Sequence, residues 1–214
     1  MTSCENPYTG EYAFLKKAKK DLSDPRKRAR LAGIAYLRIA HPLHLLPGDK
    51  VLDIGCCLGT TGHFLKYLGV DTTGIDVNFA ALRQGIQSWG KEGHNNRVAA
   101  STIALPFRDG IFKSVFSQDV LEHMTNEAEL TQAFEQMCRV CAGPLMLHKI
   151  TTLEDKKNID VDPTHHIKWT ESQWSEWFGQ KGWRVTQTPS KHFPGKSVSY
   201  GNFLIERVNN TLNL

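Results

Sequence analysis

The chain of 214 residues lacks the features that mark membrane-spanning and secreted proteins. No apolar run approaches the ~20 residues that a membrane helix needs. The first residues, Met1 to Asn6, have neither the basic start nor the apolar core of a secretory signal. The five cysteines are an odd number, which fits a reducing compartment better than a disulfide scaffold. The sequence therefore predicts a cytoplasmic protein with no membrane partner.

Signals for zinc and for nucleic acid are also scarce. Cys138 and Cys141 form a single C-x-x-C pair without a second pair, so we expect buried thiols rather than a zinc site. The net charge of +4 and the pI near 8.8 are mild, and they permit an anionic substrate without requiring nucleic acid. The hydrophobic content of 40% is ordinary for a single globular protein domain of this length.

Residues 50 to 77 have the pattern of one strand, loop, helix and strand unit. The apolar run Val51 to Ile54 leads into glycines, a helical pattern follows from Gly62 to Leu68, and a second strand ends at Asp76. Ligands of such sheets bind at the carboxyl ends of the strands, where an acid after the second strand can accept both ribose hydroxyls. The unit predicts a ribose-containing cofactor.

The loop between the two strands indicates which cofactor. A dinucleotide motif needs three glycines, and counted from Gly55 this chain has Cys57 and Thr60 at the second and third places. A nucleoside without phosphate tolerates a small side chain there. The pattern Asp53-x-Gly55-x-Cys57-x-Gly59 resembles the glycine-rich motif of class I S-adenosylmethionine-dependent methyltransferases. A tight turn without any ligand is the alternative for the glycine pattern alone.

Two further segments carry the resemblance. Residues 104 to 123 resemble a signature of the methyltransferase subgroup that includes quinone-biosynthesis enzymes, and Asp162-Pro163-Thr164-His165 is similar to a segment of small-molecule and sugar methyltransferases. The resemblance, over about residues 48 to 188, implies an α/β fold: a Rossmann-like, doubly wound, seven-stranded, mostly parallel sheet with an antiparallel C-terminal hairpin strand and helices on both faces. We expect residues 1–47 to form a helical lid or extension and residues 48–214 to form the S-adenosylmethionine-binding methyltransferase domain.

The resemblance implies S-adenosylmethionine as the cofactor and assigns its contacts. Asp53 is expected to take part in the hydrogen-bond network around the α-ammonium group, and Asp76 is expected to bind the ribose. Ser101 stands where relatives usually have an aspartate that binds the adenine amino group, and its hydroxyl can accept the same bond. The predicted cofactor-binding set is Asp53, Gly55, Cys57, Gly59, Asp76, Val77, Ser101, Thr102, Gln118 and Asp119.

The predicted reaction is methyl transfer by in-line displacement to a hydroxyl of a small molecule. A base assists such an acceptor, and the candidates in order of preference are His165, His123 and His166. The spacing of Asp119, Glu122 and His123 is similar to the metal-binding pattern of some quinone O-methyltransferases. Because a Glu-His pair also caps a helix in metal-free relatives, we predict no metal.

Two other functions remain open. The basic stretch from Lys16 to Arg30 favours RNA or protein as the methyl acceptor, although the sequence has no Asn-Pro-Pro-Tyr motif and no aromatic-basic binding module. Cys57, Ser101 and Lys113, which depart from the family pattern, favour a non-catalytic binding member of the fold. The basic residues after Pro25, in a helix predicted to run to about residue 40, are either solvated or contact an anionic group of the substrate.

Overall fold

The computed structural model describes residues 24–89, 96–143, 145–152, 162–187 and 199–208. The chain divides into two compact units, Met1–Thr102 and Ile103–Leu214. No helix in these described ranges is long and apolar enough to cross a membrane. Residues 1–23 of the predicted lid lie outside the described part, so the predicted boundary at residue 47 stays a prediction.

The first unit is a small parallel α/β layer. Its strands lie in the order β3-β2-β1, and both neighbouring pairs are parallel. The elements are α1 (Pro25–Ala35), a π-helical turn (Tyr36–Ala40), β1 (Lys50–Ile54), α2 (Thr60–Lys66), β2 (Asp71–Asp76), α3 (Phe79–Trp89) and β3 (Asn96–Ala99).

Helix α1 begins where the sequence predicts it. The Asp24 side chain accepts a hydrogen bond of 2.9 Å from the Arg26 amide, and Pro25 occupies the first helical position. The predicted helix to residue 40 is α-helical only to Ala35 and continues as the π-helical turn. Helix α1 packs against α2, the helix that follows the glycine-rich loop.

The second unit combines parallel and antiparallel strands in the order β4-β5-β7-β6. Strands β4 and β5 are parallel, and β7 is antiparallel to both of its neighbours. The predicted mostly parallel α/β fold with an antiparallel C-terminal hairpin is confirmed. The elements are β4 (Ser114–Gln118), a 3-10 turn (Leu121–His123), α4 (Glu127–Val140), β5 (Leu145–Thr152), α5 (Glu171–Gln180), β6 (Trp183–Gln187) and β7 (Ser199–Arg207).

The helices of the second unit follow their sequence signals closely. Helix α4 buries Leu130, Phe134 and Met137, which recur at helical spacing on one face. Helix α5 begins with a capping box in which Thr170 and Gln173 bond reciprocally. Its aromatic face of Trp174, Trp177 and Phe178 is buried in the core of this unit.

Helix α3 differs from its predicted packing. The helical spacing of Phe79, Leu82 and Ile86 predicts one apolar face, yet only Leu82 is buried, while Phe79 is 67% and Ile86 48% exposed. The helix instead turns Gly85 inward, where an added Cβ would lie 2.5 Å from the Leu58 carbonyl oxygen. This close approach of helix to loop decides the rotation of α3.

Candidate functional site

The loop between β1 and α2 has an unusual backbone. Gly55, Cys57 and Gly59 all have positive φ angles, of 69°, 50° and 66°. A left-handed conformation costs a residue with a Cβ roughly 1–2 kcal/mol, so Cys57 must be held in place by its surroundings. Its side chain packs against the buried residues Leu58 and Ala81. The fold thus accommodates a cysteine at a position that favours glycine.

Asp76, at the end of β2, holds this loop. The Cys57 amide donates a hydrogen bond of 2.8 Å to one carboxylate oxygen of Asp76, and the Asn78 amide donates one of 2.7 Å to the other. Burial raises the pKa of Asp76, while the amides of Asn78, Cys57 and Val77 oppose that rise. A carboxylate has about four acceptor positions, so Asp76 keeps acceptor capacity beyond these amides.

This arrangement selects between the two kinds of nucleotide cofactor. The Cys57 amide, which a pyrophosphate would use in a dinucleotide site, already donates to a carboxylate. A phosphate at that place would also meet the negative charge of Asp76. A ribose hydroxyl can donate to the remaining acceptor capacity. The site therefore fits a phosphate-free nucleoside.

The neighbouring strand brings the other predicted nucleoside contacts to the same edge. The β2–β3 register pairs Asp76 with Ala99, and Ser101 follows two residues later. Ser101 is half-buried and Thr102 is buried. Val77, directly after Asp76, is 54% exposed and offers an apolar surface beside the carboxylate.

Asp53 is a buried carboxyl group on β1. Its residue is only 3% exposed, and its strand partner is Gly74. Burial and the nearby Asp76 raise the pKa of Asp53 well above its ordinary value, whereas Arg97 lowers it. A cationic group bound beside Asp53 would favour its charged form. A carboxylate whose charged form is favoured by a bound cation is suited to bind the ammonium end of an amino-acid cofactor.

In the second unit, Gln118 and Asp119 lie at the carboxyl end of β4. Gln118 is the last residue of the strand and is half-buried. Asp119 has a φ of 54°, and its carboxylate lies 2.5 Å from the Lys149 ammonium group. The Asp119 amide also donates to the Lys149 carbonyl. The ends of β4 and β5 are therefore joined by an ion pair.

Two of the three predicted histidines come together beside this ion pair. The rings of His123 and His165 are 4.6 Å apart in an edge-to-face contact. The His123 Nδ1 atom lies 3.1 Å from the Thr164 carbonyl oxygen, which can only accept, so we assign the proton of neutral His123 to Nδ1. Burial and His165 lower the pKa of His123.

The segment that carries His165 is ordered by Asp162. The Thr164 hydroxyl and amide both donate to one Asp162 oxygen, at 2.6 and 2.9 Å. The other carboxylate oxygen lies 3.8 Å from His165 Nε2. A carboxylate thus faces the imidazole, as in sites where an acid orients a catalytic histidine.

His166 is separated from this pair. Its side chain is exposed, and its amide donates to the carbonyl of the buried residue Glu122. Among the residues that the structure describes, no group of three or more His, Cys, Asp and Glu side chains is placed to hold a metal ion. Glu122 instead anchors the backbone of residues 166 and 167.

Sequence reasoning missed two arginines. Arg139 donates to the carbonyls of Leu105 and Phe107, at 2.9 and 2.7 Å, and pairs with Asp109. It thereby holds the loop that precedes β4. Arg97, within β3, lies near Asp53. The one sequence signal for it is an arginine within a short, otherwise uncharged strand pattern.

Comparison with known proteins agrees with this geometry. A family model described as "Methyltransferase domain" matches residues 52–143. Squalene methyltransferase 1 of Botryococcus braunii is 28% identical over 135 residues, which are 61% of this chain and 35% of that protein. A sterol 24-C-methyltransferase of Gibberella zeae is 32% identical over 90 residues, or 40% of this chain and 23% of that protein. The chain thus spans about one third or less of the length of these relatives.

A solved structure extends the likeness over most of the chain. Magnesium protoporphyrin IX methyltransferase from Synechocystis PCC 6803, with bound S-adenosylmethionine, has a TM-score of 0.63 and 15% identity, covering 93% of this chain and 86% of that chain. At this identity the comparison establishes the fold alone.

The buried carboxyl group of Asp53 should cost stability. Because folding raises its pKa, the folded state binds this proton more tightly than the unfolded state, and stability falls as pH rises from 3.8 through the raised pKa. Above that window, the free energy of unfolding is lower by about 1.4 kcal/mol for every pH unit that separates the folded and unfolded pKa values. Asp53→Asn should therefore raise the thermal midpoint at pH 7.

Asp71→Asn provides the matched control, since Asp71 is exposed on the neighbouring strand. Calorimetric or circular-dichroism melting at pH 7 measures both variants. A midpoint for Asp53→Asn at or below that of the unmodified protein would contradict the assigned cost.

Proposed function

We propose that this chain, whose residues 52–143 match the methyltransferase-domain family model, is an S-adenosylmethionine-dependent methyltransferase that acts on a small molecule. The family match and the shared fold support the predicted membership of the class I group. The observation that carries the proposal is the Asp76 carboxylate, which holds the glycine-rich loop and keeps acceptor capacity for a ribose.

The residues of the candidate site divide among the parts of the cofactor. Asp76 would hold the ribose, and Asp53 would face the ammonium group. Ser101, Thr102 and Val77 would border the adenine. Gly55, Cys57 and Gly59 would let the backbone come close, and Gln118 and Asp119 would contact the methionine part. When bound, the cofactor supplies an electrophilic methyl group on a sulfonium centre.

The chain's own task is to hold the acceptor and take its proton. For a hydroxyl acceptor, the predicted O-methylation, His165 is the base that removes this proton. The Asp162 carboxylate lies 3.8 Å from His165 Nε2 and would face the proton-accepting ring. His123 packs edge-on against His165 and orients it, since its own Nδ1 is fixed by Thr164.

Carbon methylation of an apolar acceptor is the second candidate. The names of the matched squalene methyltransferase and sterol 24-C-methyltransferase favour it. In that case the histidine pair would remove a proton from carbon after methyl addition to a double bond. A panel of phenols, sugars and isoprenoid alkenes, assayed with methyl-labelled cofactor, separates the two reactions by the position of the label.

The N-terminal region fits the predicted lid. Helix α1 packs against α2, the helix that begins after the cofactor loop. We keep a lid formed by residues 1–47 as part of the proposal. We retain the cytoplasmic location, on the basis of cysteine usage, as part of the proposal.

Replacing Asp76 tests cofactor binding. Asp76→Ala removes the acceptor for two loop amides and for the ribose, so S-adenosylhomocysteine should bind ~10- to 150-fold more weakly, the loss of a charged hydrogen bond of ~1.5–3 kcal/mol. Isothermal titration calorimetry measures the affinity, and Asp71→Ala, at the exposed start of the same strand, is the control. Unchanged affinity for Asp76→Ala, or no binding by the unmodified protein, would refute the proposal.

The histidine pair is tested by rate. With an acceptor from the panel, His165→Ala should lower kcat by ~10²–10⁴-fold, the usual contribution of a general base, while cofactor affinity stays unchanged. His166→Ala, one residue away and exposed, should have a much smaller effect. Equal losses from both replacements would argue against His165 as the base.

A further inference from the structure

Arg97 occupies a costly position in the first unit. It lies on β3, and its guanidinium group donates from Nη1 to the Leu82 carbonyl at 3.1 Å. Its Nε and Nη2 atoms are buried, and neither meets a hydrogen-bond partner among the described residues. Burying such donors is unfavourable unless a nearby negative charge compensates. The position therefore calls for an electrostatic explanation.

The fold leaves a slot for this side chain. A Cβ on Gly85 would lie 2.3 Å from Arg97 Nη1, so any larger residue in α3 would displace the guanidinium group. Gly74 is the strand partner of Arg97, and a Cβ added to it would lie 2.7 Å from Cys56 Sγ in the loop. Gly74 pairs with Asp53 on one side and with Arg97 on the other, so the Asp53 and Arg97 side chains lie on the same face of the sheet with no side chain between them.

The guanidinium group acts on Asp53, one of the two acids beside the cofactor loop. Among the described residues of the first unit, the charged and titratable groups that face Asp53 are Asp76, Arg97 and the thiols of Cys56 and Cys57. Asp76 raises the pKa of Asp53, and Arg97 lowers it. In return, Cys56 and Asp53 support the charged form of Arg97 against its burial. Arg97 is thus a positive charge that offsets the Asp53 carboxylate.

We propose that Arg97 is a positioning residue that holds a positive charge beside Asp53 and so favours the carboxylate that receives the cofactor's ammonium group, and that Gly85 is required because it admits the guanidinium group. This inference rests on the proposed function. An ionised Asp53 attracts the ammonium group, whereas a protonated one does not. Affinity for the cofactor should therefore fall as pH drops through the pKa of Asp53, and loss of Arg97 should move that fall to higher pH.

The experiment measures S-adenosylhomocysteine affinity by calorimetry from pH 5 to 8.5. In Arg97→Met, the midpoint of the pH dependence should rise by about one pH unit, with roughly tenfold weaker binding below it. Arg97→Lys should restore most of the midpoint. Gly85→Ala should move it in the same direction as Arg97→Met without changing any charge. Because its Cβ would also lie 2.5 Å from the Leu58 carbonyl oxygen, an additional loss of affinity that is equal at every pH is assigned to the loop. Arg83→Met removes an exposed charge from the same helix and should match the unmodified protein.

A second readout needs no ligand. The carboxyl ¹³C resonance of Asp53, followed by NMR in the free protein, should titrate at higher pH in Arg97→Met and Gly85→Ala. If Arg97→Met weakens binding equally at every pH and leaves the Asp53 titration unmoved, Arg97 is merely structural and the inference is overturned. Failure of the unmodified protein to bind at any pH would instead refute the proposed function, while the Asp53 titration would still decide whether Arg97 sets its charge.

Discussion

The hydrogen bond from the Cys57 amide to the Asp76 carboxylate is the constraint on which the first unit depends. It joins the loop after β1 to the end of β2, and the Cys56 amide strengthens this link by donating to the Ile75 carbonyl at 2.9 Å. Because the loop is fixed by the protein's own carboxylate, its left-handed residues are in place before any ligand binds. Such preorganisation reduces the conformational entropy that is lost when the ligand binds. It also explains why a cysteine can stand where a dinucleotide site needs glycine.

Stability and binding make opposite demands on this region. Asp53 is buried near Asp76, and both carboxyl groups are desolvated, which disfavours their charged forms. Arg97 offsets part of that cost from within the sheet, and a bound ammonium group would offset more. Functional sites commonly retain groups that reduce stability in this way. In this interpretation, the protein retains the two desolvated carboxyl groups because a cation binds beside them.

Local signals in the sequence are sufficient to predict much of the fold. The start of α1 at Asp24 and the capping box of Thr170 depend only on neighbouring residues, and the βαβ unit with Asp76 at its tip depends on a short apolar pattern. Spacing alone does not separate His165 from His166, because the contact with Asp162 depends on how the loop folds back. The placement of the Arg97 side chain and the rotation of α3 both depend on the close approach of Gly85 to other elements of the fold. No local sequence pattern encodes this approach. The segment that carries Asp162 and His165 also lies outside the matched residues 52–143.

The most direct test of the account is a calorimetric cycle that combines Asp76→Ala with removal of a ribose hydroxyl. S-adenosylhomocysteine and its 2′-deoxy analogue are each titrated into the unmodified protein and into the variant. If the Asp76 carboxylate holds the ribose, the missing hydroxyl weakens binding to the unmodified protein by ~1.5–3 kcal/mol and has little effect on the variant. The same loss in both proteins would show that the hydroxyl is bound elsewhere and would contradict the central claim.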